Sequence, residues 1–274
     1  MMTRIVSNGM RLVTGQNLPL YRIDAFKTYP YLTHAIFTRQ GGFSQAPFDS
    51  LNLGSSVGDD PQAVRKNFEQ VCQAINIRPA QTVSSHLVHG ADTLVVDSHN
   101  QERFMGKADG LITGTPGIYL SMRFADCTPL IFFDPGQKAI GLTHAGWRGV
   151  MQNVAGATVE KMVEQLGCRP KNMMAVIGPS IGPCCYEVGP EVITAAIATF
   201  TDPETLFTRR NGKADHAYFN MWEANRQQLA AAGVGQIIQT ELCTACHTDQ
   251  FFSHRAEKGR TGRFGVILGL EDKL

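Results

Sequence analysis

Three short segments of this 274-residue chain carry side chains suited to binding a metal ion. They are Leu87-Val88-His89-Gly90, Ala125-Asp126-Cys127-Thr128-Pro129 and His144-Ala145-Gly146-Trp147-Arg148-Gly149. His89, Cys127 and His144 together make three protein ligands. The fourth tetrahedral position is then left to water or substrate, which is the composition of a catalytic zinc site and not of a closed structural one. Zinc held in this way lowers the pKa of water to about 7 and makes hydroxide available at neutral pH. Singly, each residue has a plainer explanation. A histidine after a strand is most often a hydrogen-bonded structural residue, and a cysteine beside a strand is most often packing. The combination is more informative. Cys127 and His144 flank neighbouring short strands joined by a tight turn, and pairing of those strands brings them to one sheet edge. Gly90 permits close approach beside His89. Asp126 either orients a ligand histidine from behind or caps a strand end.

Two segments suit an anion. Arg148 follows Gly146-Trp147 at the expected start of a helix, where free N–H groups favour negative charge and a guanidinium adds bidentate binding. The stretch Thr38-Arg39-Gln40-Gly41-Gly42-Phe43-Ser44 offers Arg39 on a flexible backbone, with spacing that fits no P-loop. The Gly/Pro loop from Gly178 to Tyr186, which contains Cys184-Cys185, is placed to line a pocket. Asp109, Tyr186 and Glu187 are candidates for the general acid. Cys243-Thr244-Ala245-Cys246-His247 matches the c-type haem attachment pattern, but that chemistry requires export and no export signal is visible. A zinc knuckle would need a second cysteine pair of similar spacing, and none follows.

The elements that must position these groups read as a mixture of strands and helices. Alternation and short apolar runs predict strands at 10–14, 35–38, 93–96, 110–113, 118–122, 130–133, 140–143, 173–177, 236–239 and 265–268. Asp60-Pro61 starts a helix in which Val64, Phe68, Val71, Cys72 and Ile75 share a face. A second helix is expected over 148–166, closed by Gly167, with two more at 191–200 and 221–232. Strict βαβ alternation is absent, which argues for mixed sheets.

Composition excludes several classes. A formal net charge of +1 gives no broad electrostatic footprint for nucleic acid or anionic membrane. No run approaches the roughly 18 apolar residues of a membrane helix, and residues 1–18 read as neither signal peptide nor anchor. A cytoplasmic location is expected. The seven cysteines are odd in number, so a disulfide framework is not expected in a reducing compartment.

Read together, these segments resemble the laccase-domain family, also called the polyphenol oxidoreductase or purine nucleoside phosphorylase family. The matching blocks are Phe37-Thr38-Arg39 with Gly41-Gly42 and Ser44, Ser50-Leu51-Asn52-Leu53-Gly54, Gly58-Asp59-Asp60, Val88-His89-Gly90, Ala125-Asp126-Cys127 with Pro129, and His144-Ala145-Gly146-Trp147-Arg148-Gly149. They continue through Gly178-Pro179 with Ile181-Gly182, Cys185-Tyr186-Glu187-Val188, Phe251-Phe252-Ser253 with Arg255, and Thr261-Gly262-Arg263. The resemblance implies one laccase-type domain over 1–274, an α/β (α+β) four-layer α/β/β/α sandwich with mixed β-sheets, of the cysteine-hydrolase-like fold. It implies one zinc on His89, Cys127 and His144, with copper as an alternative metal. It also implies phosphorolysis of adenosine, inosine, guanosine and methylthioadenosine to base and sugar 1-phosphate, and deamination of adenosine. Arg39, Asn52, Arg148 and Tyr186 would contact nucleoside and phosphate in a monomer or small homo-oligomer.

The chain departs from the family at Leu87, where Gln is frequent, and at Ala256, where a second Arg is frequent. Both departures bear on substrate preference. The eight histidines lack the paired spacing of a multicopper cluster, so copper-dependent phenol oxidation fits less well than nucleoside chemistry. Two further readings stay open. One is a thiol hydrolase using Cys127 as nucleophile and His144 as base on an amide of a cell-wall precursor. The other is a non-enzymatic metal-binding or purine-binding module.

Overall fold

A computed structural model describes residues 4–7, 9–16, 18–99, 104–209 and 215–272. Residues 1–3, 8 and 17 of the N-terminal stretch lie outside them. Strands β1 (Arg4–Ser7), β2 (Met10–Gly15), β3 (Leu18–Ile23) and β4 (Leu32–Phe37) lead to helix α1 (Pro61–Ala74). The centre is strand-rich: β5 (Thr82–His86), β6 (Thr93–Val95), β7 (Phe104–Lys107), β8 (Gly110–Thr113), β9 (Tyr119–Phe124), β10 (Thr128–Asp134) and β11 (Ala139–Ala145). Helices α2 (Trp147–Met151) and α3 (Val154–Leu166) precede β12 (Met174–Ile177), β13 (Glu187–Val188) and helix α4 (Pro190–Thr199). The chain ends through β14 (Phe207–Thr208), β15 (Ala217–Phe219), α5 (Met221–Ala231), β16 (Gln236–Gln239) and β17 (Phe264–Leu270).

Two seven-stranded sheets organise the molecule, in the orders β1-β16-β12-β10-β11-β8-β6 and β2-β3-β4-β17-β9-β5-β7. Both mix parallel and antiparallel pairs, as the irregular alternation of elements predicts: β10 runs antiparallel to β11 and β12, whereas β12 runs parallel to β16. In the other sheet β17 is antiparallel to β4 and β9, and β5 is parallel to β9. A small sheet, β13-β15-β14, stands apart.

Period-two alternation sorts the side chains into layers. Along β10, Ile131 and Phe133 enter the core between the sheets with Ile140, Leu142, Val176, Leu120, Val266 and Leu268. Leu130 and Phe132 point the other way, into a core shared with Val154, Val159, Met162, Ala224 and Leu229 of the helices. The outer face of the second sheet, with Ala35, Phe37 and Ile267, is covered by Phe68, Val71 and Cys72 of α1. The order is therefore α/β/β/α. Strands β10 and β11 are buried along their whole length, as expected for central strands covered on both faces.

Local chemistry explains the helices that carry this packing. In α1, Asp60 caps the start by accepting the Gln62 N–H at 2.9 Å, and Pro61 takes the first turn, where its missing N–H costs nothing. Burying a side chain such as Phe68 contributes roughly 1.5–3 kcal/mol.

Two expectations need correction. The single helix over 148–166 is in fact two. Asn153 adopts φ +57° between α2 and α3, and its side chain caps α3 through the Gly156 N–H at 3.3 Å. Asn tolerates the left-handed region through local hydrogen bonding, a signal that helical periodicity hides. Strands β1, β3, β5 and β7 were not expected either. Pro19 interrupts the pattern of β3, and β5 (TVSSH) is mostly polar yet mostly buried.

Candidate metal centre and active-site cavity

The strand pairing expected for the site is present. Pro129 faces His144 and Thr128 faces Ala145 across the β10–β11 pair, so Cys127, just before β10, lies beside His144 near the end of β11. His89 arrives on the loop after β5. The ligand atoms of His89, Cys127 and His144 lie within 4.8 Å of one another. The two imidazoles meet edge to face, with ring centroids 4.9 Å apart.

A buried carboxylate builds this cluster. Asp109 is fully buried. Its Oδ1 lies 2.9 Å from His144 Nδ1 and accepts the His89 N–H at 3.0 Å; its Oδ2 accepts the N–H groups of Val88 at 3.1 Å and Gly90 at 2.8 Å. One side chain thus sets the orientation of His144 and the shape of the loop that holds His89 at φ +60°. Burial alone would raise the pKa of Asp109. The His144 hydrogen bond and the N–H groups of Gly90 and Val88 outweigh it and hold the carboxyl below its ordinary range.

The orienting role considered for Asp126 therefore belongs to Asp109. Asp126 accepts from Thr244 Oγ1 at 2.7 Å and from the Arg255 N–H at 2.6 Å, and no histidine contacts it through the hydrogen bonds it makes. Those bonds fix its own φ of +81°, a strained value of the kind that gathers at functional sites.

Electrostatics couples the cluster. Burial would raise the Cys127 pKa, but the charge and hydrogen bond of His144, and then those of His89, pull it down to about 6. Burial would lower the His144 pKa; Cys127 and Asp109 push it up to about 9. Without a metal, the pair is a thiolate facing an imidazolium at neutral pH.

The residues present fit a metal ion. The donor set is two imidazoles and one low-pKa thiol. A carboxylate occupies the far nitrogen of His144, leaving the other nitrogen to face the cluster, which is the usual outer support of a ligand histidine. Gly146 keeps the centre open: a Cβ there would stand 2.8 Å from His89 Cδ2 and 3.3 Å from Cys127 Sγ.

The cluster opens into a cavity of about 710 Å³. Four guanidinium-bearing residues line it, Arg123, Arg148, Arg255 and Arg263, against a single acid, Asp126, whose oxygens are already engaged. Arg255 lies over the Tyr186 ring at 5.2 Å and bonds the Glu187 carbonyl at 2.7 Å. Arg148 lies over Trp147 at 4.4 Å. His86 stacks on Phe104 with centroids 5.1 Å apart, giving another flat wall. Leu87 makes an apolar patch of the lining.

The structure distributes the sequence candidates unevenly. His89, Cys127, His144, Arg148 and Tyr186 share the cavity. Helix α2 has only five residues, too few for a substantial dipole, so what Arg148 offers the cavity is its half-exposed guanidinium, which stands 3.5 Å from Glu191. Arg39 and Asn52 lie outside the lining. Arg39 is buried, pairs with Glu257 at 2.9 Å, and bonds the carbonyls of Asp49 and Thr248 at 2.9 Å each. Asn52 is buried and shapes its loop by accepting the N–H groups of Gly54 and Arg263, each at 2.8 Å. The polar atoms of both residues bond the surrounding loops, and neither reaches the cavity that holds the other candidates. Among the acid candidates only Tyr186 lines the cavity; Asp109 is enclosed and Glu187 points elsewhere. Arg123, Arg255 and Arg263 escaped the sequence reading as site residues. The last two sit in matching family blocks, which was the available signal.

Comparison with known proteins identifies the family. The family model described as multi-copper polyphenol oxidoreductase laccase matches residues 33–271. A Geobacillus stearothermophilus protein named purine nucleoside phosphorylase YlmD is 37% identical over 245 residues, covering 86% of this chain and 89% of that protein. An Escherichia coli K12 protein named purine nucleoside phosphorylase YfiH is 36% identical over 234 residues, covering 85% and 91%. The crystal structure of the Bacillus licheniformis hypothetical protein YfiH superimposes with a TM-score of 0.89 at 32% identity, covering 96% of this chain and 100% of that one. The chain belongs to the multi-copper polyphenol oxidoreductase laccase family, the laccase-domain family to which its sequence blocks pointed.

Proposed function

We propose that this protein is a zinc-dependent purine nucleoside phosphorylase acting on adenosine, inosine, guanosine and methylthioadenosine, with adenosine deamination as a second reaction. The observation that carries this reading is the convergence of Arg123, Arg148, Arg255 and Arg263 with the His89–Cys127–His144 centre in one cavity. Four cations beside flat aromatic walls suit an inorganic anion and a planar base together. The names of the relatives point the same way.

In phosphorolysis a phosphate oxygen bonds to C1′ as the bond from C1′ to the base breaks, and the base leaves with the electron pair and takes up a proton. Arg148 and Arg255 hold the phosphate near the sugar, while Arg123 and Arg263, whose guanidinium groups already bond Leu53, Ser84, Thr261 and Gly262, add positive charge to the cavity wall. Trp147, Phe104 and His86 offer faces for the base. Tyr186 keeps its phenol proton, because burial and then the charge of Cys127 raise its pKa, and it donates a hydrogen bond to the departing base. Asp109 holds His144 in one tautomer throughout. A divalent ion on His89, Cys127 and His144 would supply Lewis acidity and a lowered pKa for water, the chemistry that deamination requires. The substrates are small molecules, in a cytoplasmic monomer or small homo-oligomer. Among the described residues no helix is long and apolar enough to cross a membrane. Only one of their two candidate metal groups contains histidine, which supports one mononuclear centre, with zinc or copper in it, over a multicopper cluster.

The test is incubation of the zinc-loaded protein with adenosine and phosphate, followed by chromatography of the products. Adenine with ribose 1-phosphate, dependent on phosphate and lost in His89→Ala, is the expected result; inosine formed without phosphate identifies the deaminase reaction. No turnover, or turnover unchanged in His89→Ala, overturns the assignment. One observation favours a second reading: the Cys127–His144–Asp109 series also matches a thiol hydrolase, with nucleophile, base and orienting carboxylate. That reading predicts amide cleavage that survives His89→Ala and is lost in Cys127→Ser.

A further inference from the structure

Away from the histidines, the fold gathers four more cysteines. Cys184 and Cys185 lie in a turn in which the N–H groups of Cys185 and Tyr186 both donate to the Gly182 carbonyl at 3.0 Å. Cys243 and Cys246 lie in a second turn, where the His247 N–H donates to the Cys243 carbonyl at 3.1 Å. A parallel bridge between Ser180 and Cys243 clamps the turns together. It is made by the Ser180 N–H on the Leu242 carbonyl at 3.2 Å and the Thr244 N–H on the Ser180 carbonyl at 3.1 Å. All four sulfurs fall within 4.8 Å of one another, and those of Cys184 and Cys185 each stand 3.4 Å from that of Cys246.

We propose that Cys184, Cys185, Cys243 and Cys246 form a second metal site, a closed four-thiolate shell for a structural zinc ion. Zinc–sulfur bonds of about 2.3 Å in a tetrahedron place sulfurs roughly 3.8 Å apart, a few tenths of an ångström beyond the two 3.4 Å contacts and inside the 4.8 Å that encloses all four sulfurs. A disulfide would use two of the four sulfurs and leave the other two without a reason to be there. Apolar packing does not explain the group, since Cys184 and Cys246 are exposed. The Gly182 N–H points at Cys243 Sγ at 3.2 Å, the kind of outer hydrogen bond that supports a thiolate ligand. Four sulfurs in a tetrahedral arrangement select zinc or iron over hard cations. On binding, each sulfur gives its proton to solvent and its electron pair to the cation.

The site has a structural consequence for the cavity. Tyr186, which lines it, directly follows Cys185. Thr244, which directly follows Cys243, donates to Asp126 at 2.7 Å, beside Cys127. Cross-linking the two turns therefore braces one wall of the catalytic centre without touching substrate.

The experiment measures metal per chain, by mass spectrometry of elements, in protein purified under reducing conditions. The wild type is expected to hold two zinc ions. The Cys184→Ser/Cys246→Ser and His89→Ala/His144→Ala double variants should each hold one. Cobalt titrated into metal-free wild type should produce intense tetrahedral d–d bands with sulfur charge transfer characteristic of four thiolates, a readout that needs no variant to fold. Three results overturn the proposal: wild-type metal that disappears entirely with His89 and His144, iron in place of zinc on the four cysteines, or a non-reduced intact mass that shows Cys246 bonded to Cys184 or Cys185.

Discussion

Asp109→Asn removes one charge and almost no volume, yet it strikes the centre of the site. The carboxylate accepts at both oxygens: Oδ1 from the His89 N–H at 3.0 Å with His144 Nδ1 at 2.9 Å, and Oδ2 from Val88 at 3.1 Å and Gly90 at 2.8 Å. An amide keeps only one acceptor oxygen. With its NH₂ at the Oδ2 position, two backbone donors face a third donor. With its NH₂ at the Oδ1 position, the His89 N–H is stranded, and His144 must present a bare Nδ1. Its proton then moves to the nitrogen that faces Cys127, where it competes with a metal ion. An unsatisfied buried donor costs about 1–3 kcal/mol. These backbone donors are only partly buried, so the low end applies and the sum is roughly 2–3 kcal/mol. Loss of an outer partner of a ligand histidine typically weakens metal binding by about 10–100-fold.

Urea unfolding of metal-free protein reads the first quantity, as a lower midpoint at unchanged slope. Competition with a chromogenic chelator reads the second. The pH dependence has a definite sign. The folded Asp109 pKa lies below the ordinary value, so its contribution is present above about pH 4, the unfolded carboxyl range, and disappears as pH falls through the lower folded value. The gap between wild type and variant should close in acid. A variant within about 0.5 kcal/mol of wild type at pH 7, with unchanged metal affinity, would refute the reasoning that one carboxylate builds the site; that margin is the usual scatter of neutral surface changes.

Two more outcomes follow from the same geometry. In metal-free protein, alkylation of Cys127 by iodoacetamide, followed on its peptide by mass spectrometry, should rise with pH around a midpoint near 6, and His144→Ala should move that midpoint upward; a wild-type midpoint in the ordinary thiol range would contradict the thiolate–imidazolium pair. Arg39 and Arg255 should separate by readout. Arg39→Met leaves Glu257 without its cation and should cost about 2–3 kcal/mol in unfolding, whereas Arg255→Met should raise the KM for phosphate at nearly unchanged stability; the reverse pattern would return Arg39 to the site.

The three candidate ligands were legible in the chain because their chemistry marks them. Two histidines and a cysteine, each in a short segment beside a glycine or at a strand end, have few uses together. The β10–β11 pair was legible for a similar reason: two apolar runs around Asp134-Pro135-Gly136 pair locally, and local pairing carries Cys127 to His144. Helix α1 announced itself through its Asp60-Pro61 start and its apolar face. By contrast, α2 and α3 merged into one periodic run because the break at Asn153 rests on one residue's backbone angle.

Residue type and local spacing, then, determined the candidate ligand set, the mixed α/β class and the family. Tertiary structure alone decided which polar residues line the cavity. Arg39 and Arg255 look equally able to bind an anion in sequence, but Glu257 and two carbonyls consume the guanidinium of Arg39, while Arg255 faces the cavity. Asp109 is 20 residues from His89 and 35 from His144 along the chain, too far for spacing to reveal the contact. Cys243 and Cys246 lacked a second pair in sequence because Cys184 and Cys185 lie some 60 residues earlier. Such groups meet only when sheets and loops from separate segments pack together, and the free energy that decides this belongs to the whole core.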